Sequence, residues 1–354
     1  MTIAVDAMGG DHAPETPVRG AIAALREAGS DLEILLVGDE SRVRPLIGRG
    51  FGSGLRLVHA PQVVGMDEPP VAAVRSKRES SIRVGLELQK SGKAHAFVSA
   101  GNTGAVMAAA LATLGRVETI SRPAIVTVWP TRREPCLVLD VGANVDARPR
   151  HLLQFGLMGH LYAREILGRE RPKVGLLSIG EEPTKGNELT VAAHALLAGS
   201  RLEFVGNVEG RDVLEGSVDV VVCDGFVGNI LLKFGESMID FFTDAIREAV
   251  DRSLRSRMGA ALMEPAFASL ERRLDYAEHG GAPLLGIDGV VIIGHGGSSV
   301  KAMGNAIRVA KVASERALHR SIERAVREEA GSGTPAGADE TPTGVGAGKS
   351  GGAG

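Results

Sequence analysis

Short apolar runs alternate along the chain with longer stretches in which apolar residues recur at helical spacing. The runs predict strands at Ile3–Val5, Glu33–Val37, Leu55–His59, Ala94–Val98, Ala124–Val128, Leu137–Val141, Val174–Ser178, Leu202–Val205, Val218–Cys223 and Val290–Ile293. Several are continuously apolar, as expected for strands buried on both faces. Helical periodicity lies between them, for example over Pro17–Glu27, Ser81–Lys90, Arg150–Leu167 and Thr190–Ala198. This alternation predicts an α/β fold, with right-handed βαβ units building a largely parallel sheet flanked by helices. The rhythm breaks between Phe226 and Gly286, a long helical stretch in which no strand is read. It predicts a helical hairpin inserted at about 235–285 into one α/β domain spanning 1–330. Beyond that, 331–354 is rich in Gly, Ala, Thr, Pro and Ser and repeats nothing apolar. Such a tail cannot bury enough surface to offset its ordering entropy, so disorder is expected there.

With 354 residues, 44% of them hydrophobic and 23% charged, the chain can bury a large core without staples. Cys136 and Cys223 fall in or beside strands and read as small core hydrophobes, so a disulfide-stapled fold is excluded. A net charge of -3, from 40 basic and 43 acidic residues, argues against nucleic acid as a partner. Aromatics at 3% argue against base-stacking platforms. Met1–Asp6 carries no basic or long apolar targeting region, and a cytoplasmic protein is expected. The longest uncharged run, Ala96–Gly115, contains Ser99, Gly101, Asn102 and Gly104 and is not read as a membrane span.

Glycine is abundant, 47 residues in all, and glycines recur just after the apolar runs, in Ala7–Asp11, Ser99–Gly104, Val141–Asn144, Ile179–Glu182, Gly206–Asn207, Asp224–Asn229 and His295–Ser299. Short βα loops need glycine for their turns. Seven such loops on one sheet edge, each with a small hydrogen-bonding side chain, predict a composite site for a small ligand or phosphate. No Gly-x4-Gly-Lys-Ser/Thr loop occurs in the folded part, and no Gly-x-Gly-x-x-Gly follows the first strand, which counts against ATP and NAD.

Lys185, in a Gly-rich loop past a strand end, suits phosphate as a point charge; a solvated lysine paired with Glu181 or Glu182 is the alternative. Asn229 can donate its amide to a developing oxyanion, or cap a helix. His295 and His12 sit in site-like loops as bases or structural hydrogen bonders. Ser99 lacks the Gly-x-Ser-x-Gly setting of a nucleophile elbow. Arg75, Lys77, Ser80 and Ser81 precede a helix and form either an anion site or a charged turn. No Cys-x-x-Cys or His-x-x-x-His occurs, so no metal site is expected.

In their order along residues 3 to 315, these pieces resemble the bacterial phosphate acyltransferase (PlsX) family. The matching motifs are Val5–Asp11, Ser99–Ala105, Leu139–Asn144, Ile179–Glu182, Lys185-Gly186, Cys223–Asn229 and Tyr276-x4-Gly281-Ala282-x2-Leu285-Gly286. Where many relatives carry an acidic residue in the last loop, this chain has Ser299, so no acid role is expected there. The resemblance implies a fold like isopropylmalate dehydrogenase and phosphotransacetylase, and a homodimer. It implies transfer of a long-chain acyl group from acyl-acyl carrier protein to inorganic phosphate, with no cofactor, giving acyl phosphate for phospholipid synthesis. It carries catalytic roles to Lys185 and Asn229. Substrate contacts are expected from Gly9, Gly10, Asp11, Ser99, Gly101, Asn102, Thr103, Asp140, Asn144, Glu181, Asp224 and His295. Contact with the acidic carrier protein or a membrane surface is expected at the hairpin, from Arg252, Leu254, Arg255, Arg257, Met258, Leu262, Arg272 and Arg273. Three alternatives stand beside this reading. They are a short-chain phosphate acyltransferase using coenzyme A thioesters, a metal- and NAD-dependent decarboxylating dehydrogenase, and a non-catalytic lipid-binding scaffold.

Overall fold

The computed structural model describes residues 1–48, 54–274 and 280–331, the side chains of 240, 271–274 and 330–331 excepted. Tyr276 of the motif and residues 332–354 of the predicted 331–354 tail lie outside the described residues, as do the side chains of Arg272 and Arg273, while Gly331 ends the last helix. The chain opens with β1 (Thr2–Asp6), α1 (Glu15–Ala28), β2 (Glu33–Gly38), α2 (Glu40–Ile47) and β3 (Leu55–His59). Then come α3 (Pro70–Ser76), α4 (Ser81–Lys90), β4 (Ala96–Ser99), α5 (Thr103–Thr113), β5 (Ala124–Trp129) and β6 (Cys136–Leu139). They are followed by α6 (Pro149–Glu165), β7 (Lys173–Leu177), α7 (Glu188–Ala198), β8 (Glu203–Val208), α8 (Gly210–Glu215) and β9 (Val220–Val222). The remainder is α9 (Gly225–Asp251), α10 (Leu254–Leu262), α11 (Glu264–Leu274), β10 (Ala282–Leu285), β11 (Val290–Ile293), α12 (Val300–Glu315) and α13 (Leu318–Gly331).

The eleven strands of the described residues form one sheet, in the order β3-β2-β1-β4-β11-β10-β5-β6-β9-β7-β8. The pairings from β3 to β11 are parallel, and so are those from β6 to β8. Between the two blocks, β10 pairs antiparallel with both β11 and β5, and β5 pairs antiparallel with β6. Three reversals in a row turn the second block over relative to the first. This corrects the expectation that the glycine loops share one edge: those after β1, β4 and β11 lie opposite those after β6, β7 and β9. It also corrects the strand-free reading of Phe226–Gly286, which contains β10. Four residues with a proline inside give too short a run to stand out against the helical pattern around it.

Alternate residues of each strand serve opposite faces. Ile3, Val5 and Val98 join the apolar layer under α1, α6, α12 and α13, while Ala4 and Phe97 join the layer under α3, α4 and α5. The second face continues past β10, β5 and β6, where α9 runs across it. At 1.5 Å per residue, the 27 residues of α9 extend about 40 Å. No helix of the described residues is long and apolar enough to cross a membrane.

Candidate active site

Two buried aspartates organise the glycine loops, one in each parallel block. Asp6 ends β1. Its carboxylate accepts from the Met8 amide at 2.9 Å and from Ser99 Oγ at 2.7 Å. Ser99 Oγ in turn accepts from the Gly101 amide at 3.0 Å. A Cβ on Gly9 would lie 2.6 Å from both Asp6 Oδ2 and the Gly101 nitrogen, so only glycine lets the β1 and β4 loops meet. Asp11 donates its amide to Gly296 O at 2.9 Å, which adds the β11 loop to the cluster. His295 Nδ1 accepts from the Gly297 amide at 3.1 Å. Burial pushes the Asp6 carboxyl above its ordinary range, against its hydrogen bonds.

Asp140 follows β6 and does the same on the opposite edge. It accepts from the amides of Ile125, Ala143 and Asn144 at 3.0, 3.0 and 2.7 Å, and from Asn144 Nδ2 at 2.9 Å. Burial again raises its carboxyl pKa, while these donors oppose the rise. The first turn of α9 presses on this loop. A Cβ on Gly228 would stand 1.9 Å from Asp140 O, and one on Gly225 2.6 Å from Asp140 Oδ2. The spacing Asp224-Gly225-Phe226-Val227-Gly228-Asn229 is therefore a packing requirement. Asp224 caps the helix, accepting from the Phe226 and Val227 amides at 3.0 Å. Asn229 is thus free of the capping role that was its alternative. Its side chain lies against Gly142, whose φ of +144° is a backbone conformation that residues with a side chain rarely adopt.

Most of the polar residues expected to touch substrate are committed to these scaffolds. Ser99 and Asp140 are fully buried, and both bond within the loops. Asn102 caps α5, accepting from the Ala105 amide at 3.0 Å. Its Nδ2 donates to Met66 O and Glu68 O at 2.8 and 3.1 Å, tying down the loop between β3 and α3. Asn144 donates to Pro123 O at 2.7 Å. Ser299, where no acid was expected, caps α12 through the Ala302 amide. Lys77 pairs with Glu68 and Ser80 caps α4, so this segment is a tied structural turn.

Between α9 and the sheet lies a cavity of about 1010 Å³, at the upper end of the usual range for ligand sites. Asn229 and Gly142 line one part, and Thr103, His295 and Ser298 another. Its walls are mostly apolar, from Ile125, Val128 and Trp129 of β5 and from Leu231, Leu232, Ile239 and Phe242 of α9. Lys233, one turn beyond Asn229, also lines it. Lys185 does not. It sits in the exposed loop after β7, which Ser178 Oγ and Asn207 Nδ2 hold through Lys185 O and Glu182 O at 3.0 and 2.8 Å. Among the described residues its ammonium makes no ion pair; Glu181 pairs instead with Arg211 at 3.1 Å. Cys136 and Cys223 are buried free thiols, Cys136 pushed up to about 12. Asp6, Lys233 and the inner face of α9 were not singled out from the sequence. Asp6 had a signal in its position, an acid closing an apolar strand before two glycines.

The hairpin is exposed. Leu254, Met258 and Leu262 of α10 are 74%, 63% and 85% accessible. Arg252 pairs with Glu248 at 3.1 Å and Arg257 with Asp251 at 3.3 Å, while Arg255 has no ion pair among the described residues.

The model of the fatty acid synthesis protein family matches residues 1–320. The phosphate acyltransferase of Pelotomaculum thermopropionicum is 51% identical over 327 residues, covering 92% of this chain and 95% of its own. That of Moorella thermoacetica is 54% identical over 311 residues, covering 88% and 91%. Among solved structures, a phosphotransacetylase from Streptococcus pyogenes superposes with a TM-score of 0.62 at 19% identity, covering 89% of this chain and 94% of its own. A phosphotransacetylase from Staphylococcus aureus gives 0.58 at 17%, covering 89% and 94%. The two structures show a shared fold. The family match and the identity across nearly the whole length show more: the chain belongs to the fatty acid synthesis protein family, among the phosphate acyltransferases.

Proposed function

We propose that the protein transfers a long-chain acyl group from acyl-acyl carrier protein to inorganic phosphate. The observation that carries this reading is the apolar cavity of about 1010 Å³ that begins at Asn229 and the glycine loops. A short-chain enzyme acting on coenzyme A has no use for such a volume. In the proposed step a phosphate oxygen bonds to the thioester carbonyl carbon and the carbon–sulfur bond breaks. Acyl phosphate forms, and the carrier thiolate takes the proton that hydrogen phosphate gives up.

Phosphate is already an anionic nucleophile, so the site needs orientation and charge stabilisation more than a general base. Asn229 donates its amide to the carbonyl oxygen as charge develops there. Lys185 holds phosphate as a point charge, its ammonium making no ion pair among the described residues. Lys233 adds a second cation one turn from Asn229. Thr103 and His295 line the cavity from the other loop cluster, and Gly9, Gly10, Asp11 and Gly101 in the loops beside them offer backbone or side-chain contacts to substrate. Ser99, Asn102, Asp140, Asn144 and Asp224 serve by holding those loops. Glu181 holds Arg211 beside the Lys185 loop.

The carrier docks on Arg252, Arg255, Arg257, Arg272 and Arg273, and the exposed Leu254, Met258 and Leu262 meet a lipid surface. The protein is cytoplasmic and peripheral in this reading. The outer face of α9, with Phe226, Ile230 and Phe241 exposed, is the contact between two copies in a homodimer. The test is incubation with long-chain acyl-carrier protein and phosphate, trapping product with hydroxylamine. Acyl hydroxamate in proportion to released carrier thiol supports the reading. Equal turnover of acetyl-coenzyme A would favour the short-chain alternative, and no product at all would leave a lipid-binding scaffold.

A further inference from the structure

The cavity under α9 is not uniform along its length. At Gly235 the helix backbone meets the ring of Trp129, the last residue of β5. A Cβ on Gly235 would lie 2.4 Å from Cη2 and 2.6 Å from Cζ2 of that ring. Trp129 is 9% exposed and belongs to the buried cluster of this sheet face, so its ring is held by close packing. The cavity lining continues on both sides of this contact, with Asn229 and Leu232 before it and Met238, Phe242 and Ile246 after it. By the helix rise, Gly235 lies about 9 Å from Asn229, and Ile246 about 16 Å farther on. The indole therefore narrows a mostly apolar cavity part-way along α9, between Asn229 and the partly exposed Phe242 and Ile246.

We propose that Trp129 is the residue that sets acyl-chain length, by narrowing the cavity against Gly235; this rests on reading the cavity as the acyl site. A chain whose thioester carbonyl sits at Asn229 reaches the ring after about 9 Å. Shorter chains end before it and gain nothing from the far section. Longer chains must pass beside the ring to reach Phe242 and Ile246. A single methylene that fits or fails to fit an apolar pocket changes selectivity by about tenfold or more. Replacing the indole with a small side chain widens the cavity there and moves preference toward longer chains.

Trp129 is the only tryptophan in the chain, so its emission reports on this one place. The experiment has two arms. The first measures kcat/KM for a series of acyl-carrier proteins of increasing chain length with wild type, Trp129→Phe and Trp129→Ala. The expected result is a shift of at least about tenfold toward the longer chains in Trp129→Ala, with Trp129→Phe between. The second arm needs no turnover and uses wild type. Acyl-carrier protein brominated at mid-chain should quench Trp129 emission, and a short brominated chain should not. An unchanged chain-length profile, or quenching indifferent to bromine position, overturns the proposal. A wild type that makes no acyl phosphate from any chain sinks the functional reading instead, while the quenching arm still decides where the chain lies.

Discussion

Asn229 packs on Gly142 and its amide has no hydrogen bond among the described residues, so its chemistry rests on donating one. Asn229→Asp keeps the shape, replaces the donor with an acceptor and adds a negative charge where an oxyanion would form. Its turnover is expected to fall at least as far as that of Asn229→Ala. Since Asp224 already caps α9, loss of a cap cannot explain such a result; a tolerated aspartate would remove the donor role. Lys185→Ala is expected to keep wild-type thermal unfolding and lose about a hundredfold or more in turnover, the scale of one electrostatic stabiliser. Steady-state kinetics beside a melting curve decide it, and a loss of only a few-fold would take Lys185 out of the mechanism. The sequence made both residues visible because each stands next to glycine in an ordered motif. It did not reveal that Ser99, Asn102 and Asp140 spend their polar atoms on the scaffold. Their partners lie in distant segments: Asp6 for Ser99, Met66 for Asn102, Ile125 for Asp140.

Among the elements, the loop between β3 and α3 and the hairpin make separate commitments. Glu68 accepts from Lys77 and from the Gly65 amide at 2.8 Å, and these bonds hold its carboxyl below its ordinary value of about 4.5. A lowered folded-state pKa means that this contribution to stability is present above the unfolded value and is lost as pH falls through the folded one. Hydrogen exchange at the Gly65 amide should therefore be protected near neutrality and lose protection below the carboxylate range. In Glu68→Gln the two pH values should differ little; a difference as large as in wild type would assign the effect elsewhere. For the hairpin, a Leu254→Glu/Leu262→Glu variant should stay dimeric and active yet leave anionic liposomes in flotation. If it loses its dimer, or if wild type never floats, α10 is an assembly element and the lipid contact fails. The four-residue spacing of Leu254, Met258 and Leu262 made this face legible. The 27-residue length of α9 was not, because Gly225, Gly228 and Gly235 look like breaks. They are points of close approach, two to the Asp140 loop and one to Trp129.

For the whole molecule, the class of the fold follows from the alternation of apolar runs with helical periods, and most strands lie where those runs stand. Strand direction was not readable in the same way. The reversals at β10, β5 and β6 depend on which strands become neighbours, and β10 itself is four residues long. Residues from both loop clusters reach the cavity under α9, Thr103 and His295 from the first and Gly142 and Asn229 from the second. In that arrangement phosphate attacks a thioester carbonyl beside Asn229, at one end of a mostly apolar cavity. The most direct measurement supplies phosphate labelled with heavy oxygen, together with long-chain acyl-carrier protein, in ordinary water. The acyl phosphate is then cleaved at its phosphorus–oxygen bond, and the fatty acid is weighed by mass spectrometry. One heavy oxygen is expected in the carboxyl group for each carrier thiol released, and no release without phosphate. Unlabelled fatty acid, released at the same rate when phosphate is withheld, would show that water is the nucleophile and contradict attack by phosphate.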